Sequence, residues 1–285
     1  MTDREPQHAT IIGASGFVGT ALQARLRAIG WTYAVPDRHA AWQPVGSLGH
    51  IFYCAGMTAD YARNPADTVE AHVGLLSRVL TSQDWDSLVY LSSTRLYDGQ
   101  PPERSGAEEG AFLVDPDNMR HLYDLSKLLG ENLCRVMGPG KARVARLSCV
   151  YRDERDPHGF VGDLMRKILN TPPGSTLSVD SSPHFRRDYV HIDDAVEGLI
   201  RIAVEGRSPV YNVAFGSNTS NAELADAVYR CTGVHIAFNR SDAPSASPLL
   251  RHGRLTEEFG WHPRSPQQAI GAWATSNGRA GATPV

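Results

Sequence analysis

The sequence predicts an α/β protein, a doubly wound parallel sheet followed by a smaller C-terminal domain, and three observations carry that reading. Short apolar strands alternate with helical stretches from Thr10 to Leu147. A glycine-rich turn joins the first strand to the first helix. After Tyr151 the alternation loosens into shorter elements and turns. A chain of 285 residues suits one large domain or two small ones and can bury a substantial core.

The elements follow in order. Thr10-Ile11-Ile12 is an apolar strand that runs into the glycine turn. Phe17 to Ile29 carries Val18, Leu22, Leu26 and Ile29 at helical spacing and stops at Gly30. Trp31 to Val35, His50 to Cys54 and Ser87 to Leu91 read as strands. Between the last two, Asn64-Pro65-Ala66-Asp67 opens a helix through Leu80, the proline suiting a first helical turn. A helix from about Met119 to Met137 precedes the strand Ala142 to Leu147.

Beyond Tyr151, Gly162 to Leu169 reads as a helix and Asn170-Thr171-Pro172-Pro173-Gly174 as a turn. Tyr189 to Ile192 is a short strand, and Asp193 to Val204 a helix that returns to the first domain. Asn221 to Gly233 is a further helix. The expected division is 1–150 with about 177–204 for the larger domain, 151–176 and 205–275 for the smaller, and 276–285 as a loose tail. Ligands of open parallel sheets lie beyond the carboxyl ends of the strands, so the smaller domain is expected to close over that crevice.

Composition narrows the function. Hydrophobic content of 41% and charged content of 21% are those of a globular protein rather than a disordered one. A net charge of −3 offers no footing for nucleic acid or an anionic membrane. No apolar run has the length of a spanning helix, and the polar start Met1-Thr2-Asp3-Arg4-Glu5-Pro6 lacks a signal-peptide core. Cys54, Cys134, Cys149 and Cys231 are scattered, which reads as reduced thiols in a cytoplasmic protein with no metal site. Only three of the 28 basic residues are lysines, Lys127, Lys141 and Lys167, so a lysine here marks a place that needs an ammonium.

Four segments carry chemistry. Gly13-Ala14-Ser15-Gly16-Phe17-Val18-Gly19 follows a strand and opens a helix. Glycines in that turn allow a diphosphate to approach the backbone, and the helix N-terminus offers it unpaired N–H groups and a positive dipole. A merely structural turn is the alternative. Asp37, at the end of the second strand, stands where a carboxylate binds adenosine ribose hydroxyls. That favours NAD; the adjacent Arg38 would favour NADP, and a solvated loop acid is the third option.

Tyr123-Asp124-Leu125-Ser126-Lys127 sets a phenol and an ammonium one helical turn apart on one face. A nearby cation lowers a tyrosine pKa from about 10 and fits it for proton transfer at a carbinol or carbonyl. Leu91-Ser92-Ser93-Thr94-Arg95-Leu96-Tyr97 places hydroxyls at the carboxyl end of an apolar strand, where one can hold the reacting oxygen. A Ser/Thr turn satisfying its own backbone is the alternative there.

The glycine turn, S-S-x-x-x-Y, Y-x-x-x-K and Arg187-Asp188-Tyr189-Val190-His191-Ile192-Asp193-Asp194 together resemble the extended short-chain dehydrogenase/reductase family, in its NAD-dependent nucleotide-sugar epimerase/dehydratase branch. The likeness runs from about Ile11 to Trp273. It implies a Rossmann-like domain holding NAD and a smaller C-terminal substrate domain holding a nucleoside-diphosphate sugar. By the same resemblance Gly13, Ser15, Gly16, Phe17, Val18 and Gly19 form the diphosphate turn, with Asp37 and Arg38 at the ribose. Cys54-Ala55-Gly56 matches the segment after the family's fourth strand that touches the cofactor, joined there by Ser92. Ser93, Tyr123 and Lys127 match the catalytic set, Lys127 also holding the nicotinamide ribose. Thr94, Cys149 and Arg187 match substrate positions, with Arg187 pairing with the substrate diphosphate; an ion pair stitching the domain together is its structural alternative.

The resemblance implies a 4-epimerase-type cycle in which Tyr123 moves the hydroxyl proton. The alternatives are a keto-sugar reductase using NAD(P)H and a non-catalytic dinucleotide sensor. It also implies a homodimer through helices that include the one bearing Tyr123. Departures accompany it. The segment Arg38 to His50 is short and carries Pro44, Gly46 and Gly49 where the family fits a helix and a strand. His72 and Cys149 stand where the family commonly has asparagine. Thr94-Arg95 stands where the 4,6-dehydratases resemble one another in having Asp-Glu.

Overall fold

The computed structural model describes residues 7–37, 42–43, 46–57, 60–82, 84–101, 106–156, 159–242 and 247–279. In chain order the elements are β1 (His8–Ile12), α1 (Phe17–Ala28), β2 (Thr32–Ala34), β3 (His50–Tyr53), α2 (Pro65–Val69), a π-helical turn (Glu70–Gly74) and α3 (Leu75–Leu80). Then come β4 (Ser87–Ser93), a 3₁₀ turn (Thr94–Tyr97), α4 (His121–Met137), β5 (Ala142–Leu147), β6 (Cys149–Tyr151), α5 (Phe160–Leu169), β7 (Thr176–Val179) and β8 (Arg186–His191). The remainder is α6 (Ile192–Glu205), β9 (Val210–Val213), β10 (Asn218–Ser220), α7 (Asn221–Thr232), β11 (His235–Phe238), α8 (Gly253–Phe259) and α9 (Pro266–Ser276).

The chain forms two units. The first comprises 1–147, 196–213 and 252–261, and the second 148–195, 214–251 and 262–285. These limits differ from those expected at 150 and 177–204. Residues 210–213 supply the sixth strand of the main sheet, whereas 177–195, with β7 and β8, belong to the second unit. At the tail, Ser276 still ends α9, and 280–285 lie outside the described residues.

The first unit is a six-stranded sheet in the order β2-β1-β3-β4-β5-β9, every pair parallel. Its central strands are continuous apolar runs; Ile51, Phe52, Tyr53, Leu88, Val89, Tyr90, Val144 and Ala145 are fully buried, as in a sheet covered on both faces. The chain winds outward in opposite directions from β1 and β3, so a switch point opens beyond their carboxyl ends. The residues described between β2 and β3 form no helix or strand, in keeping with the short segment noted in the sequence.

Helix α4 is positioned by its buried face, where Tyr123, Lys127, Gly130, Glu131 and Cys134 recur at helical spacing. Gly130 lets it come close, because a Cβ there would overlap the Tyr90 hydroxyl and lie 2.9 Å from His72 O. Beneath it lies a buried polar web. Arg146, 3% exposed, donates to Glu131 through Nε (2.9 Å) and Nη2 (2.6 Å) and to Tyr97 Oη (2.8 Å). Burial works against the Arg146 charge, yet the hydrogen bonds and charge of Glu131 outweigh it and hold the guanidinium above its ordinary pKa. Tyr97 in turn donates to Asn212 Oδ1 on β9 (2.8 Å).

The second unit has a three-stranded sheet, β10-β8-β6, and a two-stranded one, β11-β7. Helices α5, α7 and α9 pack over them around Val161, Leu164, Ile168, Leu224, Val228, Ile270 and Trp273. Local sequence starts both later helices. Ser220 and Glu223 form a reciprocal capping box on α7, and Ser265 and Gln268 another on α9, which adds Pro266 in its first turn.

Candidate active site

The switch point is built from the loops after β1 and β3. Gly13 has φ +81, a left-handed backbone, and a Cβ on it would fall 2.6 Å from Ala55 N. Only glycine meets both demands, so the two loops touch. Cys54 N–H donates to Ile12 O at 2.8 Å and closes the junction. Gly16 caps α1 with extended backbone, and no acid sits in the first turn. That positive helix end is a physical fit for a dinucleotide diphosphate. Ser15 and Gly16 are exposed on the turn, Phe17 and Val18 half-buried, and Gly19 buried against the Gly13–Ala14 backbone. Asp37 is exposed just beyond β2, and Arg38 lies outside the described residues.

The 54–57 loop leads to the lysine. A Cβ on Gly56 would lie 3.1 Å from His72 Nε2 and 3.2 Å from Lys127 Nζ, so both line that glycine. Burial pushes the Cys54 thiol up to about 12 although Lys127 pulls it down, which leaves it neutral. Lys127 is 4% exposed, donates to Leu91 O at 2.8 Å and lies 5.0 Å from the Tyr90 ring centre. Burial lowers its pKa to about 7, with Glu131 one turn on opposing.

Tyr123 is buried among Ser93, Arg95, Tyr61 and His72. The Ser93 hydroxyl hydrogen-bonds the phenol, and its oxygen also accepts the Arg95 backbone N–H at 3.1 Å. Burial raises the Tyr123 pKa above 10, while Ser93 and the Arg95 charge pull the other way. The sequence reading named Lys127 as the cation acting on Tyr123. The ammonium donates to the Leu91 carbonyl, and the Arg95 guanidinium lies 4.8 Å from the Tyr123 ring centre.

Alternation along β4 separates the two serines. Ser93 faces Tyr123, whereas Ser92 is buried and donates to Glu131 Oε1 at 2.6 Å, so its hydroxyl is committed to packing α4. Thr94 is half-buried at the start of the 3₁₀ turn. Arg187 and Cys149 both lie in the second unit, where Cys149 pairs in register with Tyr189 and the Arg187 charge reaches its thiol. Arg187 also lies 5.4 Å over the Phe185 ring. Its neighbour Asp188 points the opposite way, accepting Phe215 N–H (2.9 Å) and Gly216 N–H (2.6 Å).

Sequence reasoning passed over His72 as a contact and Ser126 altogether. The π-helical turn carries His72 inward, as such turns do at functional sites. Met57 N–H donates to its Nε2 at 3.2 Å, so Nδ1 bears the proton and donates to Ser126 Oγ at 2.8 Å. Ser126 passes the chain on to Tyr123 O at 2.9 Å. Burial, then the Lys127 charge, pushes the His72 pKa down to about 3, so the ring is neutral. The signal available was its position, a histidine inside an apolar helix where the family has asparagine.

A parallel sheet with a glycine-lined switch point, and a serine, tyrosine and lysine grouped beside it, defines a dinucleotide-dependent enzyme of the short-chain dehydrogenase/reductase type. The chain belongs to the NAD dependent epimerase/dehydratase family, whose model matches residues 45–214. That match begins after the glycine turn, which stands on its own geometry.

GDP-6-deoxy-D-mannose reductase of Pseudomonas aeruginosa is 26% identical over 290 residues, 90% of this chain and 92% of that one. UDP-glucuronic acid decarboxylase 2 of Arabidopsis thaliana is 24% identical over 92% of this chain but 66% of its own length. The solved structure of RMD from Pseudomonas aeruginosa, complexed with NADPH, superposes with a TM-score of 0.73 at 24% identity, covering 95% of this chain and 98% of that one. Among the described residues no helix is long and apolar enough to cross a membrane.

Proposed function

We propose that the protein transfers hydride at a carbonyl–carbinol carbon of a nucleoside-diphosphate sugar, acting as a keto-sugar reductase with Tyr123 as the proton donor. The observation that carries this is the hydrogen bond between Ser93 and Tyr123 beside the switch point. Ser93 Oγ already accepts the Arg95 N–H, which leaves its own proton for an oxygen placed next to Tyr123. A substrate carbonyl there accepts from both hydroxyls, and the developing alkoxide takes the Tyr123 proton. Ser126 and neutral His72 hold the helix and the 54–57 loop in place around that oxygen.

The dinucleotide, when bound, supplies the hydride. Gly13, Gly16 and Gly19 with the N-terminal end of α1 would hold its diphosphate, Lys127 its ribose, and Asp37 the adenosine hydroxyls. Thr94, Cys149 and Arg187 are the proposed substrate contacts, Arg187 as a bidentate partner of the diphosphate. A homodimer through α4 is part of the reading, supported by Leu125, Leu129 and Val136 standing 39%, 48% and 68% exposed on that helix.

Reductase stands ahead of the epimerase reading because a curated relative at 26% identity, matched over 92% of its length, is a reductase. Two measurements test this: the small molecules released on denaturation, and NAD(P)H oxidation with nucleotide keto-sugars. A cofactor-free site, stoichiometric NAD(P)H consumption and a loss of about 10²–10⁴-fold in Y123F support it. Retained NAD with inversion of a carbinol and no net consumption returns the epimerase. Binding without turnover in either assay leaves a sensor.

A further inference from the structure

Tyr123 sits where α4 holds its own chain least. It falls in the first turn of the helix, and its N–H bonds Arg120 O at 3.2 Å, three residues back. The phenol oxygen is the far end of that side chain, so a small rotation of the ring carries it away from the Ser93 hydroxyl. The rings that meet Tyr123 come from the segment between β3 and α3. His72 stands edge-on to it at 5.6 Å, and Tyr61 lies against it with ring centres 5.4 Å apart and planes inclined by 56°.

Tyr61 is itself held in place. Thr68, fully buried on α2, donates through Oγ1 to Tyr61 O at 3.2 Å. The N–H groups of Arg63 and Asn64 both donate to Asp60 O at 3.0 Å, closing a turn around the residue, and Pro65 then starts α2. Tyr61 is half-buried whereas Tyr123 is 1% exposed, so Tyr61 is part of what covers it.

We propose that Tyr61 is a positioning residue for Tyr123: its ring holds the Tyr123 ring in the orientation that keeps the phenol at Ser93 and at the reacting oxygen. The inference rests on the reading of Tyr123 as proton donor. Ser93 acts at the phenol oxygen, and Tyr61 acts on the ring that carries it. A tilted aromatic pair at this separation is attractive and specifies an angle, which an aliphatic side chain of similar bulk does not. The Tyr61 hydroxyl has no part in this, so a phenylalanine serves as well.

The test compares Y61F, Y61L, Y123F and the double variant of Y61L with Y123F, by NAD(P)H consumption with a nucleoside-diphosphate keto-sugar. Y61L is expected to lower kcat about 10–10²-fold with KM changing little, and Y61F to retain most of the wild-type rate. In the Y123F background the leucine has no further effect on the single-turnover rate, because Tyr61 acts through Tyr123. Y61M is a second aliphatic probe should Y61L misfold. Another readout needs no substrate. In cofactor-free protein the phenolate absorbance of Tyr123 is taken as the difference between each protein and its Y123F counterpart. Burial places that titration above 10 in the wild type, and it moves down toward 10 in Y61L as water reaches the ring. A folded Y61L with wild-type kcat and titration overturns the proposal. So does an equal loss in both backgrounds, or a raised KM at unchanged kcat, which would make Tyr61 a substrate contact. Full activity in Y123F would instead remove the proton-donor reading, while the absorbance titration still decides whether Tyr61 covers the ring.

Discussion

Replacing Lys127 by methionine should stabilise the fold most where the lysine is charged. Lys127 is 4% exposed and its pKa falls from 10.5 to about 7 through burial. Below pH 7 the ammonium is charged in both the folded and unfolded chain, and the folded state bears the full desolvation penalty. Between pH 7 and 10.5 the folded protein has released a proton that the unfolded chain still holds, so wild-type stability rises with pH across that window. Each pH unit there is worth about 1.4 kcal/mol, which makes about 3 kcal/mol between pH 7 and about pH 9.5.

K127M lacks this dependence. Its stability relative to wild type should therefore be about 3 kcal/mol more favourable at about pH 6 than at about pH 9.5. Packing changes and the lost bond to Leu91 O enter at both pH values and cancel. Urea unfolding at the two pH values measures the difference, with the slope checked for constancy. A difference below about 1 kcal/mol would refute a depressed lysine and with it the claim that burial dominates this site. The same variant should lose activity, since the proposed ribose contact goes with the side chain.

Two further outcomes follow from other parts of the molecule. R146M strands Glu131 in the core and should cost about 3–5 kcal/mol in urea melts, while R146M with E131M recovers most of it; a single variant within about 1 kcal/mol of wild type sinks the network. R187A should raise KM for the nucleotide sugar with kcat nearly unchanged, and an unaltered KM with a lowered Tm would mark Arg187 as a structural ion-pair residue.

The glycine turn and the Tyr123–Lys127 spacing were legible because each is a local device. A left-handed glycine between strand and helix, or two residues four apart on a helix, needs no distant partner to be recognised. Strand β9 was not. Val210-Tyr211-Asn212-Val213 is four residues long, and its place in the sheet depends on β5 and on Asn212 meeting Tyr97, 115 positions away in the chain. The limits of the two units differ from the expected ones for the same reason, since a short strand does not declare which sheet it completes.

The site shows the same division. That residues 93, 123 and 127 would stand together could be read from the order of motifs. Where the Lys127 ammonium points could not, because a lysine stem has four rotatable bonds and its direction is set by what surrounds it. Packing of α4 on β4, permitted by Gly130, brings the Leu91 carbonyl within 2.8 Å of the ammonium. The 3₁₀ turn after Ser93 then folds Arg95 back over the phenol. Sequence by itself determined most of the sheet, the glycine turn and the grouping of Ser93, Tyr123 and Lys127, since period, glycine and spacing act over a few residues. Only the tertiary structure decided the electrostatics, because charge acts through space and burial, and both are properties of the packed whole.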